Sequence, residues 1–114
     1  MGFKFYLYLL LIPILLVSNA VLIYAHEQAH KQIFAEFGVK SEIVFEFPSL
    51  KVIPDYNKFF SLTSCERNQI AALQSVDEVV GYQIVALFNV MMLSMIICFV
   101  AFDIHNLQSK ARGD

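Results

Sequence analysis

"VLIYAHEQAHKQIFAEFGVK", residues 21–40, carries an apolar run directly into the pattern His-Glu-x-x-His. Behind it, Phe3 to Tyr24 contains one charged residue, Lys4. As a helix rising about 1.5 Å per residue, such a stretch crosses a hydrocarbon layer of about 30 Å. Ile84 to Phe102 is a second such stretch, uncharged, with Asn89, Ser94 and Cys98 as its polar positions. The pattern predicts a mainly α membrane fold. Two antiparallel transmembrane helices would be joined by a polar insert at one interface.

Composition agrees with that expectation. The 114 residues are 58% apolar and 16% charged, with a positive mean hydropathy. A single small domain has too little interior to hide so many apolar side chains from water. A secretory signal peptide is the rival reading of the first run, with Lys4 as its charged end and Ala20 or Ala25 closing a cleavage site. The run exceeds the usual length of a signal core, which favours an uncleaved anchor. Net charge is −2 with lysines and acids interspersed, so no basic face points to nucleic acid. Lys4, Lys110 and Arg112 flank the termini, against Lys31 and Arg67 at the inner ends of the spans. The positive-inside rule leans toward both termini in the cytoplasm. Cys65 in the insert and Cys98 in mid-span make no disulfide framework.

The whole chain, 1–114, reads as one domain in three parts. Pro13 falls inside the first helix, where membrane helices tolerate it with a kink. Ala25, Ala29, Ile33, Phe34 and Phe37 continue an apolar stripe at helical spacing up to Gly38, so the first helix should cover 3–37 and carry HEQAH beyond the interface. An insert over 39–74 follows. Ile43, Phe45 and Phe47 alternate with other residues, which predicts a strand; Pro48-Ser49 offers a turn, and Leu50 to Ile53 a returning strand. Residues 55–64 read as loop. Thr63-Ser64-Cys65-Glu66 and Ser75-Val76-Asp77-Glu78 each place Glu three residues after Thr or Ser. The first is a start signal for a short amphipathic helix, the second for the other span, over 76–105; whether the two helices merge into one is left open by the pattern.

His26 and His30 lie four apart, on one side of a helix. Two imidazoles so placed can hold one Zn²⁺, and Glu27 between them is placed to take a proton from a water that the metal activates. Copper suits the same imidazoles. The bland alternative is a pair of polar residues at headgroup level. A catalytic zinc needs a third protein ligand. An antiparallel second span brings residues 75–83 to the HEQAH end, which makes Glu78 the first candidate and Asp77 the second, with Glu66 available if the short helix folds back. Asp103 and His105 lie at the far end, about 30–40 Å away at helical rise, and are excluded within one chain. Tyr24 and Tyr82 fit interfacial positions on the HEQAH side, with Tyr82 or Gln83 a candidate oxyanion donor.

"HEQAH", the helix end "EFGVK" and the alternating "SEIVFEF" resemble the membrane-embedded zinc metallopeptidases of the site-2-protease type over about residues 20–47. The resemblance implies zinc on His26 and His30, with Glu27 as general base. It also casts Asn89 in "ALFNVMM" as a polar neighbour of the active site. The LDG motif that supplies that family's third ligand is absent. Completion of HExxH by a downstream Glu is similar instead to the gluzincin arrangement.

The leading expectation is a zinc peptidase, cleaving a membrane-proximal peptide held by strand addition along residues 41–47. The rival from another class is a non-catalytic two-span subunit of a larger membrane complex, with a structural metal or none. Either needs company, as a homo-oligomer or with other membrane subunits, because two helices enclose no cavity in the bilayer. Met91, Met92, Ser94 and Met95 offer an adaptable packing face. The tripeptide Arg112-Gly113-Asp114 sits at a chain end, where chance accounts for it.

Overall fold

A computed structural model describes residues 3–47 and 49–113. In chain order they form α1 (Phe3–Glu36), β1 (Ser41–Glu46), β2 (Ser49–Pro54), α2 (Tyr56–Ser61) and α3 (Ser64–Arg112). Pro48, half of the expected turn, and Asp114, the last residue of the Arg-Gly-Asp triplet, lie outside the described residues.

Helix α1 runs unbroken through Pro13 and past the apolar run into HEQAH. Both α1 and α3 are long and apolar enough to span a membrane. Lys4 pairs with Asp103, Asn19 with Asn89, and His30 with Gln74, so partner numbers fall as α1 rises and the two helices are antiparallel. Their mutual contact covers one stripe of each. Leu9, Leu16 and Val17 on α1, and Leu87, Met91 and Met95 on α3, remain exposed on the flanks.

The seam carries polar fastenings. In its middle, Asn19 and Asn89 donate reciprocally, Nδ2 to Oδ1, at 3.0 and 2.8 Å, and each also donates to a carbonyl of its own helix. At the end remote from HEQAH, Asp103 accepts from both Lys4 and the Tyr8 hydroxyl.

Helix α1 ends at Gly38, as its sequence position predicts. Gly38 has φ of +72°, a conformation that costs a residue with Cβ about 1–2 kcal/mol. Gly38 N donates to Ala35 O at 2.9 Å, and Val39 N to Phe34 O at 3.0 Å. This 5→2 and 6→1 pair satisfies the last carbonyls of the helix. The turn leads into Val39, which with Ile70 of α3 is one of the two fully buried apolar side chains among the described residues, at 1% and 2% exposure.

The hairpin forms as its alternation predicts. β1 and β2 pair antiparallel from Ser41↔Pro54 to Glu46↔Ser49, and Asp55 N closes its base on Lys40 O.

One expectation about the insert is corrected, and one alternative that the sequence leaves open is decided. Residues 55–64 are not all loop: Asp55 caps α2 by accepting from the Asn57 and Lys58 amides, and Phe59 lies edge-on to Phe34 of α1. A capping Asp followed by aromatics at positions 56, 59 and 60 was the available signal. The short amphipathic helix and the second span are also one element, α3, which extends beyond the expected 76–105 at both ends. Thr63 and Glu66 form the capping box at its start. Ser75 instead lies mid-helix and donates back to Ala71 O. Its box with Glu78 does not exist, because the amides a cap would serve already have partners one turn back.

Candidate metal centre

On α1, His26 and His30 project from successive turns, with ring centroids 4.5 Å apart and planes at 80°. The facing stripe of α3 is Gln74, Asp77, Glu78 and Gly81, spaced at i, i+3, i+4 and i+7. Released from any capping role, Glu78 reaches His30 Nε2 at 3.0 Å through Oε1 and His26 Nε2 at 3.7 Å through Oε2. The two Nε2 atoms are 3.1 Å apart. Asp77 occupies the opposite side of both rings, with Oδ2 3.3 Å from His30 Nδ1 and 3.7 Å from His26 Nδ1.

Two donor sets are therefore available. His26, His30 and Asp77 can bring one atom each within 4.8 Å of one another. In that set the single atom Asp77 Oδ2 lies 3.3 and 3.7 Å from the two Nδ1 atoms; in the other, the two Nε2 atoms are 3.1 Å apart and each is approached by a different Glu78 oxygen, at 3.0 and 3.7 Å. Ligands at 2.0–2.1 Å from a tetrahedral zinc are separated by about 3.3 Å. Both sets approach that edge length, and Glu78 is the more accessible of the two carboxylates.

Burial reinforces the site. His30 is 6% exposed. Gln74 holds it twice, through Oε1 at the ring Nδ1 and through Nε2 donated to the His30 carbonyl at 3.3 Å. His26 Nδ1 and Asp77 Oδ2 are buried without hydrogen-bond partners. Such orphaned groups are rare in folded proteins and mark places where something further is bound or adjusted.

Glu27 lies beyond the apolar run, on the wall of a cleft of about 380 Å³ with His30, Glu78, Gln74 and Tyr82. Burial pushes its carboxyl above the ordinary range; His30 and His26 oppose that rise, and Glu78 and Asp77 add to it. The far wall is β2, through Leu50, Lys51 and Val52. The strand beside the histidines is thus β2 rather than residues 41–47 of β1. Tyr82 also packs at 5.9 Å from the His26 ring. On the other side of His26 lies a mainly apolar cleft of about 260 Å³ that Asp77 and Gly81 share.

The sequence-predicted residues His26, Glu27, His30, Asp77, Glu78 and Tyr82 come together. Gln83 is not part of the cleft lining. Glu66 is held in its cap, where the Thr63 amide and hydroxyl keep its carboxyl below the ordinary range. Asn89, cast by resemblance as a neighbour of the site, pairs with Asn19 instead. Gln74 and Gly81 were missed, although their spacing from Asp77 and Glu78 was a usable signal. Comparison with protein-family models, with curated proteins and with solved structures gives no match, so the reading of this centre rests on its own geometry.

Proposed function

We propose that the chain is a two-span membrane protein whose HEQAH end forms a zinc peptidase centre, with His26, His30 and Glu78 as ligands and Glu27 as general base. The observation that carries the reading is the convergence of His26 Nε2, His30 Nε2 and the Glu78 carboxylate within 3.7 Å, beside a cleft whose wall includes Glu27. Insertion in a bilayer is supported by the apolar flanks of both helices, which no other part of the chain covers among the described residues.

Each part then has a task. The α3 stripe closes the site against α1 and holds Glu78 at the histidines. Zinc, when bound, polarises a carbonyl and lowers the pKa of water to about 7. Glu27 accepts the proton that attacking water gives up and can return it to the leaving amine; a carboxylate with a raised pKa suits both steps. Tyr82, on the same wall, is placed to donate to a developing oxyanion. The free edge of β2 can hold an extended peptide along the cleft by strand addition. A membrane-proximal segment is the matching substrate class.

A second reading is supported by the openness of the site. Two helices shelter one side of it, and their exposed flanks invite further membrane subunits or a homo-oligomer. In that arrangement the centre is structural, held by zinc or copper.

The test is elemental mass spectrometry of the full chain in detergent, beside hydrolysis of a fluorogenic peptide mixture. Near-stoichiometric zinc is expected in wild type and in Glu27→Gln, with hydrolysis in wild type alone. A folded, metal-free wild type would end the zinc reading. Zinc without any Glu27-dependent hydrolysis would transfer the centre to the structural reading.

A further inference from the structure

We propose that Asp77 is a positioning residue of this centre, taking the Nδ1 proton of His26 as Gln74 takes that of His30, so that both Nε2 lone pairs face Glu78. The inference rests on the zinc reading above and goes beyond it by assigning the two faces of each imidazole.

A neutral imidazole has one bare nitrogen, and the partner of the other nitrogen selects which. His30 settles first. Gln74 Nε2 donates to the His30 carbonyl, which fixes the orientation of the amide and leaves Oε1, an acceptor only, against His30 Nδ1. Nδ1 therefore carries the proton and Nε2 the lone pair. That Nε2 lies 3.0 Å from Glu78 and, with no cation present, accepts from His26 Nε2 at 3.1 Å; a cation between them would replace this hydrogen bond and require the His26 proton at Nδ1.

The same fact argues against Asp77 as ligand. A metal held between Asp77 and the Nδ1 atoms needs a bare Nδ1 on His30, which would oppose its lone pair to that of Gln74 Oε1. Asp77 is left with an outer role, and His26 supplies the vacancy for it. His26 Nδ1 and Asp77 Oδ2 are both buried, both without hydrogen-bond partners, and 3.7 Å apart. An approach of about 0.8 Å makes them a hydrogen bond of ordinary length. With its proton committed to Asp77, His26 presents Nε2 to the same point as His30. Outer partners of this kind typically change metal affinity by about 10–100-fold without entering the coordination sphere.

The experiment uses Co²⁺ alone as the probe, with the full chain in detergent. Visible absorption reads the ligand set, and competition with a chelator reads the affinity. Asp77→Ala is expected to bind one Co²⁺ with the wild-type band and an affinity lower by about 10–100-fold. Asp77→Asn, whose Oδ1 can still accept from Nδ1, should recover part of the loss. Glu78→Gln should lose the band. Loss of the band in Asp77→Asn, with its retention in Glu78→Gln, would make Asp77 the ligand and overturn the proposal. Unchanged affinity in both Asp77 variants would overturn it as well. If Asp77→Ala does not fold, Asp77→Asn carries the test alone, as weaker binding with the same band. A wild type that binds no Co²⁺ would instead remove the metal reading itself, a separate and distinguishable outcome.

Discussion

Gly81 lies directly beneath the His26 ring: a Cβ built on it would collide with the ring Nδ1, Cε1 and Cγ atoms. A glycine within a helix costs roughly 0.8–1 kcal/mol relative to alanine. Here its value is the space that lets His26 lie between α1 and α3 beside Asp77. Gly81→Ala should therefore separate two properties that usually move together. Helix propensity improves, while His26 must leave its seat and metal affinity falls by at least about tenfold, as expected when ligand orientation is lost. Thermal melting and a metal competition titration on the same sample check both. Unchanged affinity would show that the ring has another stable position.

The Asn19–Asn89 pair sits among apolar side chains, so a single replacement leaves the remaining amide without its cross-helix partner. We expect Asn19→Leu and Asn89→Leu each to destabilise helix association by about 1–2 kcal/mol, and the double variant to cost less than their sum. Equilibrium unfolding in mixed micelles, run as a double-mutant cycle, measures the coupling. A coupling of zero would make the two amides independent decorations of their own helices.

Gly38→Ala forces a Cβ into the left-handed region at φ +72°. The expected loss is about 1–2 kcal/mol, and it should appear first in the hairpin, because the same turn leads directly into buried Val39 and the start of β1. Hydrogen exchange at the amides of Val39 and Asp55 reports it. Protection at wild-type level would contradict the role given to this turn.

The cap on α3 gives a pH signature. Glu66 has its pKa depressed in the folded chain by the Thr63 amide and hydroxyl. A depressed carboxylate contributes stability above its unfolded pKa and loses that contribution as pH falls through the folded value. Protection of the Thr63 and Glu66 amides, corrected for intrinsic exchange, should hold at neutral pH and decline below about pH 4.5. Glu66→Gln should be fully or largely insensitive over that window.

The local parts of this protein were legible in its residues. The apolar runs, the HExxH spacing, the alternation in β1 and the stop at Gly38 each depend on neighbours in sequence, through rise, period or backbone conformation, and each is found. Ser75-x-x-Glu78 misled for the same reason, because a capping pattern is local and does not reveal that the chain before it is already helical. What only the tertiary structure decided is the meeting of α1 with α3. Asp77 and Glu78 were candidates from the expected antiparallel packing, but Gln74 and Gly81 are unremarkable residues until a single register sets all four against His26 and His30. Register is a long-range property, held here by Asn19 with Asn89 and by Lys4 and Tyr8 with Asp103. No window of sequence contains both partners of those pairs, so which atoms of Asp77 and Glu78 meet which ring nitrogens, and the parts of Gln74 and Gly81, emerge only when the helices pack.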